Sequence, residues 1–233
     1  MKRKRKRTVL PPLPNYILPL SNPDKTWHES WTKNRNILNL PHPFRAVLFG
    51  PPGVGKSTIV KNILLRSFPV FERVTVLHVD PENSREWNDL GEDGVEIRGD
   101  VPAPSDWDDS VKHLVICDDL DVSHLGKEGN SNLNRMFGYA STHRNISICL
   151  CSQDSINVPP SIRRCASVFI LWKMPDMDAM ARLARQSGIK AKEMRAIFDT
   201  FDNFRDSLWI DLTPGTPYPM RKNGFIELRK KGK

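Results

Sequence analysis

Only four cysteines, Cys117, Cys149, Cys151 and Cys165, occur among the 233 residues, and no two form a CxxC pair or join histidines at metal-ligand spacing. A disulfide-stapled scaffold and a structural zinc site are excluded. All four lie in or beside apolar runs and read as reduced core thiols of a reducing compartment. No run approaches the ~18 apolar residues of a membrane span, and no apolar segment of signal-peptide length follows the cationic start. The expectation is a chain with no membrane span that is not secreted. No internal repeat is present, which excludes a solenoid.

What the chain has is charge, proline and short apolar runs. With 39% hydrophobic and 27% charged residues, it holds enough for one medium α/β domain and too little for two. The formal charge of +8 is unevenly spread: Lys2 to Arg7 carry six positive charges and Arg221 to Lys233 a net +5, leaving −3 on the body between them. The sequence is therefore a mildly acidic body with a basic peptide at each end. Seven prolines fall between Pro11 and Pro43, a density that blocks long helices. Residues 1–43 read as a basic, Pro-rich arm and 44–233 as the folded domain.

Within that domain, apolar runs at Ala46–Phe49, Val74–Val79, His113–Cys117, Ile146–Cys151 and Val168–Trp172 read as strands, separated by helical patterns at Lys56–Ser67, Asn132–Ala140 and Met177–Gln186. Near-continuous β-branched runs between helices predict a mostly parallel sheet, buried on both faces and flanked by helices. Residues 81–110 carry ten acids against Arg85 and Arg98 and read as a solvated acidic insertion or a docking surface for a basic partner. In the C-terminal part, residues 207–233, Leu208–Leu212 and Gly224–Leu228 predict two edge strands before the basic tail. The Asn130-Ser131-Asn132 run looks like a helix cap, and Ser123–Gly129 before it like a loop able to project into a pore.

Three segments carry chemistry. Gly50-Pro51-Pro52-Gly53-Val54-Gly55-Lys56-Ser57 is a complete GxxxxGK[ST] between a predicted strand and a predicted helix, the context that gives this motif meaning. Its N–H groups and the helix N-terminus suit the phosphates of a nucleotide such as ATP. Lys56 is placed at the β/γ oxygens, the Ser57 hydroxyl on Mg²⁺ and Thr58 near the α-phosphate. The strand His113–Cys117 then ends in Asp118 and Asp119, at the strand edge where open α/β sheets bind ligands; Asp118 is read as the Mg²⁺ carboxylate and Asp119 as the group that polarises the attacking water. Finally, Ile146–Cys151 leads into Ser152-Gln153, whose amide can bond both the γ-phosphate or water and the acid pair.

This order, with Ser141-Thr142-His143-Arg144-Asn145-Ile146-Ser147 leading into the Gln153 strand, then Leu183-Ala184-Arg185-Gln186 and Leu208 to Pro214 with Arg221, resembles the viral genome-packaging ATPases of the FtsK-HerA superfamily, in their poxvirus- and polinton-type branch. The resemblance spans about Arg45 to Leu228. It implies a RecA-like core in a homo-oligomeric ring that drives double-stranded DNA into a preformed capsid, docked on a capsid or portal-vertex protein, in the virion or host cell interior. It also implies an arginine that reaches the γ-phosphate from within the subunit or from its neighbour. Arg144 is the first candidate, with Arg163, Arg164 and Arg185 as alternatives. The chain departs from many members in carrying Asp119 where they place Glu.

The Lys2-Arg3-Lys4-Arg5-Lys6-Arg7 run suits nuclear targeting or sequence-independent contact with DNA phosphates. Trp87 and Trp107 suit packing or base stacking. Two other functions fit part of the pattern. A superfamily 3 replication helicase of a small DNA virus shares the P-loop and acid pair but carries Asn where this chain has Gln153. An ATP-gated nucleic-acid-binding switch would use the same cradle with little turnover.

Overall fold

The computed structural model of the chain describes residues 35–67, 71–91 and 94–228. Its centre is a nine-stranded sheet in the order β3-β2-β4-β5-β1-β6-β7-β8-β9. The strands are β1 Arg45–Phe49, β2 Arg73–Leu77, β3 Glu96–Arg98, β4 His113–Cys117, β5 Ile146–Ser152, β6 Val168–Trp172, β7 Ser207–Asp211, β8 Met220–Lys222 and β9 Ile226–Glu227. From β3 to β6 every pairing is parallel; β7, β8 and β9 continue the sheet antiparallel. The described helices of six residues or more are α1 Lys56–Arg66, α2 Arg85–Gly91, α3 Gly126–Arg135, α4 Pro160–Cys165, α5 Met177–Gln186 and α6 Ala191–Phe198.

Side chains alternate across each strand, so the central strands supply two cores at once. Val47 and Phe49 of β1 face a cluster with Leu133, Ile162, Leu183 and Phe198 from α3 to α6. Ala46 and Leu48 face the other cluster, with Val60 and Ile63 of α1 and Trp87 of α2. That double burial is why the strands read as unbroken apolar runs.

The fold corrects several expectations. The boundary at 43/44 falls inside folded chain: Leu38, Leu40 and Phe44 are buried against the α1 side of the sheet. Arg35 forms a buried ion pair with Asp211 at 2.7 Å and donates to the Thr213 hydroxyl at 2.6 Å and the Asn39 carbonyl at 2.8 Å. Proline density signals the end of helix, not the end of packing, and that is what misplaced the boundary. The acidic segment is not a bare loop, since it contains α2 and β3, which pairs with β2. Helix α3 begins at Gly126, so Asn130-Ser131-Asn132 lies within it and most of the expected pore loop is helical. The buried Asn132 amide donates to the Val101 carbonyl at 3.0 Å. The C-terminal part holds three short strands rather than two.

At the edge of the sheet where β1 and β5 begin, His42 Nε2 meets Asn145 Oδ1 at 2.9 Å and Nδ1 meets the Ser147 hydroxyl at 2.8 Å. These partners suit a neutral ring with its proton on Nε2. Burial pushes its pKa down to about 4, against the Asn145 hydrogen bond, which raises it. The unfolded chain takes up this proton near pH 6.5 and the folded chain only near 4. His42 therefore stabilises the fold fully above about pH 6.5, and that contribution, about 3 kcal/mol, is lost as pH falls toward 4. Urea titrations from pH 7 to 4 are expected to show this slope, and His42→Gln to flatten it.

Candidate functional site

Strand order assembles the site. β5 lies between β1 and β4, with Phe49 opposite Ser152 and Cys117 opposite Leu150. The loop after β1, the acids after β4 and the glutamine after β5 thus leave the sheet at one level of one edge. A cleft of about 420 Å³ there is lined by Lys56, Ser57, Thr58, Asp118, Asp119 and Gln153, among others.

The loop Gly50–Gly55 is shaped by sequence. Gly55 has φ 99°, in the left-handed region, which favours glycine. A Cβ on Gly50 would stand 2.9 Å from the Trp172 Cβ. Helix α1 starts with no side-chain cap and no acid in its first turn, so its leading N–H groups point into the cleft, an arrangement suited to an anion. The buried Lys56 ammonium donates to the carbonyls of Gly50 at 2.9 Å and Pro51 at 3.0 Å, which centres its charge in the loop.

Asp118 is 3% exposed. Burial raises its pKa, opposed by hydrogen bonds from the Ser57 hydroxyl, the Trp87 indole and the Cys151 thiol. The Trp87 Nε1–H donates to Asp118 Oδ2 at 3.0 Å, and the Lys61 ammonium lies 5.3 Å from the indole centroid. Sequence reasoning placed Trp87 only as packing or a base-stacking platform; a large apolar residue in an acidic stretch was the available signal. Trp107 is likewise buried, so neither indole is free to stack bases. Asp119 and Gln153 are exposed to the cleft. Asp119 has φ 48°, a conformation aspartate tolerates far better than longer residues.

Ser57 and Asp118 offer hydroxyl and carboxylate oxygens, a donor set that fits a hard divalent cation. The three thiols nearest the acids stay protonated: burial raises Cys117 to about 12 and pushes Cys149 and Cys151 up as well.

Arg144 is not part of this assembly. It precedes β5, at the opposite end of that strand from Gln153, and pairs with Asp109 at 3.0 Å. Seven strand residues separate the two ends, about 23 Å at ~3.3 Å each, so action on its own subunit's nucleotide is ruled out. Arg163 is buried with Nε and Nη1 unpartnered, Arg164 donates to the Pro160 carbonyl at 3.1 Å, and Arg185 is exposed on α5; none of them lines the cleft. Arg221, read as part of the basic tail, is 2% exposed and donates to the Gly224 carbonyl at 3.1 Å. The basic run Lys2–Arg7 lies outside the described residues. Among the described residues no helix is long and apolar enough to cross a membrane.

This arrangement, with a phosphate loop after β1 and an acid pair two strands away, is the fold of a RecA-like P-loop NTPase. Among solved structures, the chain is similar to B204, the DNA-packaging ATPase from Sulfolobus turreted icosahedral virus, at 13% identity over 77% of this chain and 97% of that one, with a TM-score of 0.55. The genome-packaging NTPase B204 of Sulfolobus turreted icosahedral virus 2 in complex with ATP-gammaS gives a TM-score of 0.53 at 13% identity, over 80% of this chain and 98% of that one. The conjugation coupling protein TcpA of pCW3 gives 0.50 at 16% identity, over 71% of this chain and 56% of that one. The fold is thus the one that the sequence resemblance implied. No family model matches the chain, and no curated protein does.

Proposed function

We propose that this chain is an ATP-hydrolysing motor that, as a homo-oligomeric ring, translocates double-stranded DNA into a viral capsid. The observation that carries this reading is that Gln153, just after the strand lying between those of the phosphate loop and the acid pair, lines the same cleft as Lys56, Asp118 and Asp119. The fold shared with B204 supports it. Lys56 neutralises charge on the β/γ oxygens, Asp119 orients and polarises the attacking water, and Gln153 senses whether the γ-phosphate is present. Mg²⁺, held by Ser57 and Asp118, would screen the developing charge on the same oxygens. An arginine from the adjacent subunit completes the site, and Arg144, remote from its own cleft, is available only in that role. DNA is gripped by the Lys2–Arg7 run, which also suits entry to a host nucleus, and the ring docks on a capsid or portal-vertex protein.

The test is ATP turnover with and without double-stranded DNA, together with native mass in a non-hydrolysable ATP analogue. The expected result is turnover that rises at least several-fold with DNA, and a multimeric mass. A strictly monomeric species whose turnover ignores DNA would remove the motor reading and leave an ATP-gated binding switch.

A further inference from the structure

The phosphate cleft opens on one side into a second cavity of about 500 Å³ that the catalytic reading leaves unused. The two share Gly53, Gly55 and Thr58. Asp118, Asp119 and Gln153 line only the first, whereas the second runs from Thr58 to the segment around β7 and the turn between β8 and β9. A triphosphate with its γ end toward the acids and its α-phosphate near Thr58 would deliver its nucleoside into this second space. The volume lies within the range of small-molecule sites.

At its mouth stands Phe225, 61% exposed. A large apolar ring left in water at a cleft gains nothing by packing, yet this one is presented on a rigid mount. Asn223 and Gly224 have φ 53° and 80°, the pair of left-handed residues that builds a tight hairpin turn. Phe225 N–H closes that turn on the Lys222 carbonyl at 3.2 Å. The Asn223 side chain is clasped from both sides: its Oδ1 accepts from Ser207 N–H and its Nδ2 donates to Asp206 Oδ1, each at 2.8 Å. Asp206 is held in turn by the Lys222 ammonium at 2.8 Å. Beneath the turn, a Cβ on Gly224 would meet the Trp209 ring at 3.2 Å. Asn62, on the opposite wall, spends its amide on the Thr58 carbonyl and the Arg66 guanidinium.

We infer that this cavity is the nucleoside subsite of the ATP site and that Phe225 is the platform on which the base stacks. The inference rests on the phosphate-loop reading above and deepens it by naming the part of the ligand that each space holds. Asn62, Asn223 and Asp206 are committed to their neighbours, which leaves chiefly Asn203 and Arg205 of the lining able to reach a base edge; the base is held mainly through its π face, and stacking accepts any purine. Strong rejection of one purine would need uncommitted hydrogen-bonding groups at the base edge.

The experiment compares Phe225→Ala, Phe225→Tyr and the unsubstituted chain for binding of ATP, GTP and inorganic tripolyphosphate by calorimetry. Stacking predicts that Phe225→Ala weakens ATP and GTP alike by about 5- to 150-fold. It leaves tripolyphosphate within twofold, and Phe225→Tyr restores both nucleotides. If Phe225→Ala weakens tripolyphosphate as much as ATP, or weakens neither, the platform assignment is overturned. A more than 100-fold preference of the unsubstituted chain for one purine overturns recognition by stacking. An unsubstituted chain that binds no tripolyphosphate would instead overturn the phosphate-loop reading beneath it.

Discussion

Asp119→Asn is expected to lower the turnover number for ATP by about 10²–10⁴-fold, the range for loss of a positioned general base, while the dissociation constant for ATP moves by no more than a few-fold. The split follows from where the side chain stands. Asp119 is exposed in the cleft it shares with Lys56 and Gln153 and accepts none of the three hydrogen bonds that hold its buried neighbour Asp118. The amide keeps the shape and the left-handed backbone but cannot take a proton from water. Asp119→Glu, which supplies the longer acid common in packaging ATPases, is expected to remain well below the unsubstituted chain. A glutamate at φ 48° gives up the local hydrogen bonding that makes aspartate tolerable there. Single-turnover hydrolysis with parallel equilibrium binding checks both variants. An Asp119→Asn protein that hydrolyses normally would move the water-polarising role elsewhere.

Arg35→Ala is expected to cost about 3–5 kcal/mol of stability, the usual consequence of removing one partner of a buried ion pair. For a domain of this size that lowers the melting temperature by about 6–20 °C. The loss is large because Asp211 is 1% exposed and loses the guanidinium hydrogen-bonded to it. Its remaining hydrogen-bond donors, the Thr213 N–H at 2.9 Å, the Thr213 hydroxyl and the Thr216 hydroxyl at 2.9 Å, are neutral, and the remaining cation that acts on it is Arg221. Arg35→Ala combined with Asp211→Asn should recover part of the loss, since the amide carries no buried charge, and calorimetry of the single and double variants measures the coupling. A single variant that melts like the unsubstituted chain would put the 35–43 segment back among dispensable flanks.

The chemistry at the end of β1, β4 and β5 was readable from residue order because each of those strands is buried on both faces and ends in an abrupt change from apolar to polar. Pro52, Gly53, Gly55 to Thr58, Asp118, Asp119 and Gln153 line one cleft. What order could not supply was lateral placement: that β5 separates β1 from β4 is a property of the sheet, and it alone brings Gln153 between the loop and the acids. The same limit explains Arg144. It is close in sequence to the glutamine strand, but a strand carries its two ends to opposite sides of the molecule. Helix α6 and strand β3 escaped sequence reading because they are short and only partly apolar, so tertiary packing outweighs local propensity. Phe225 gave no sequence signal at all, since its meaning comes from a cavity whose other wall lies some 165 positions earlier, at Thr58 to Asn62.

The indole bond between Trp87 and Asp118 makes the acidic segment a lever arm with its short end inside the catalytic centre. Its long end is solvent-facing and heavily negative; its short end is a single N–H on a buried carboxylate. A basic surface that grasps the segment need not come near the nucleotide to be felt there. A displacement of α2 by one ångström is enough to break that bond and leave the carboxylate with one donor fewer. Loss of that donor alters the carboxylate that also accepts from the Ser57 hydroxyl in the cleft.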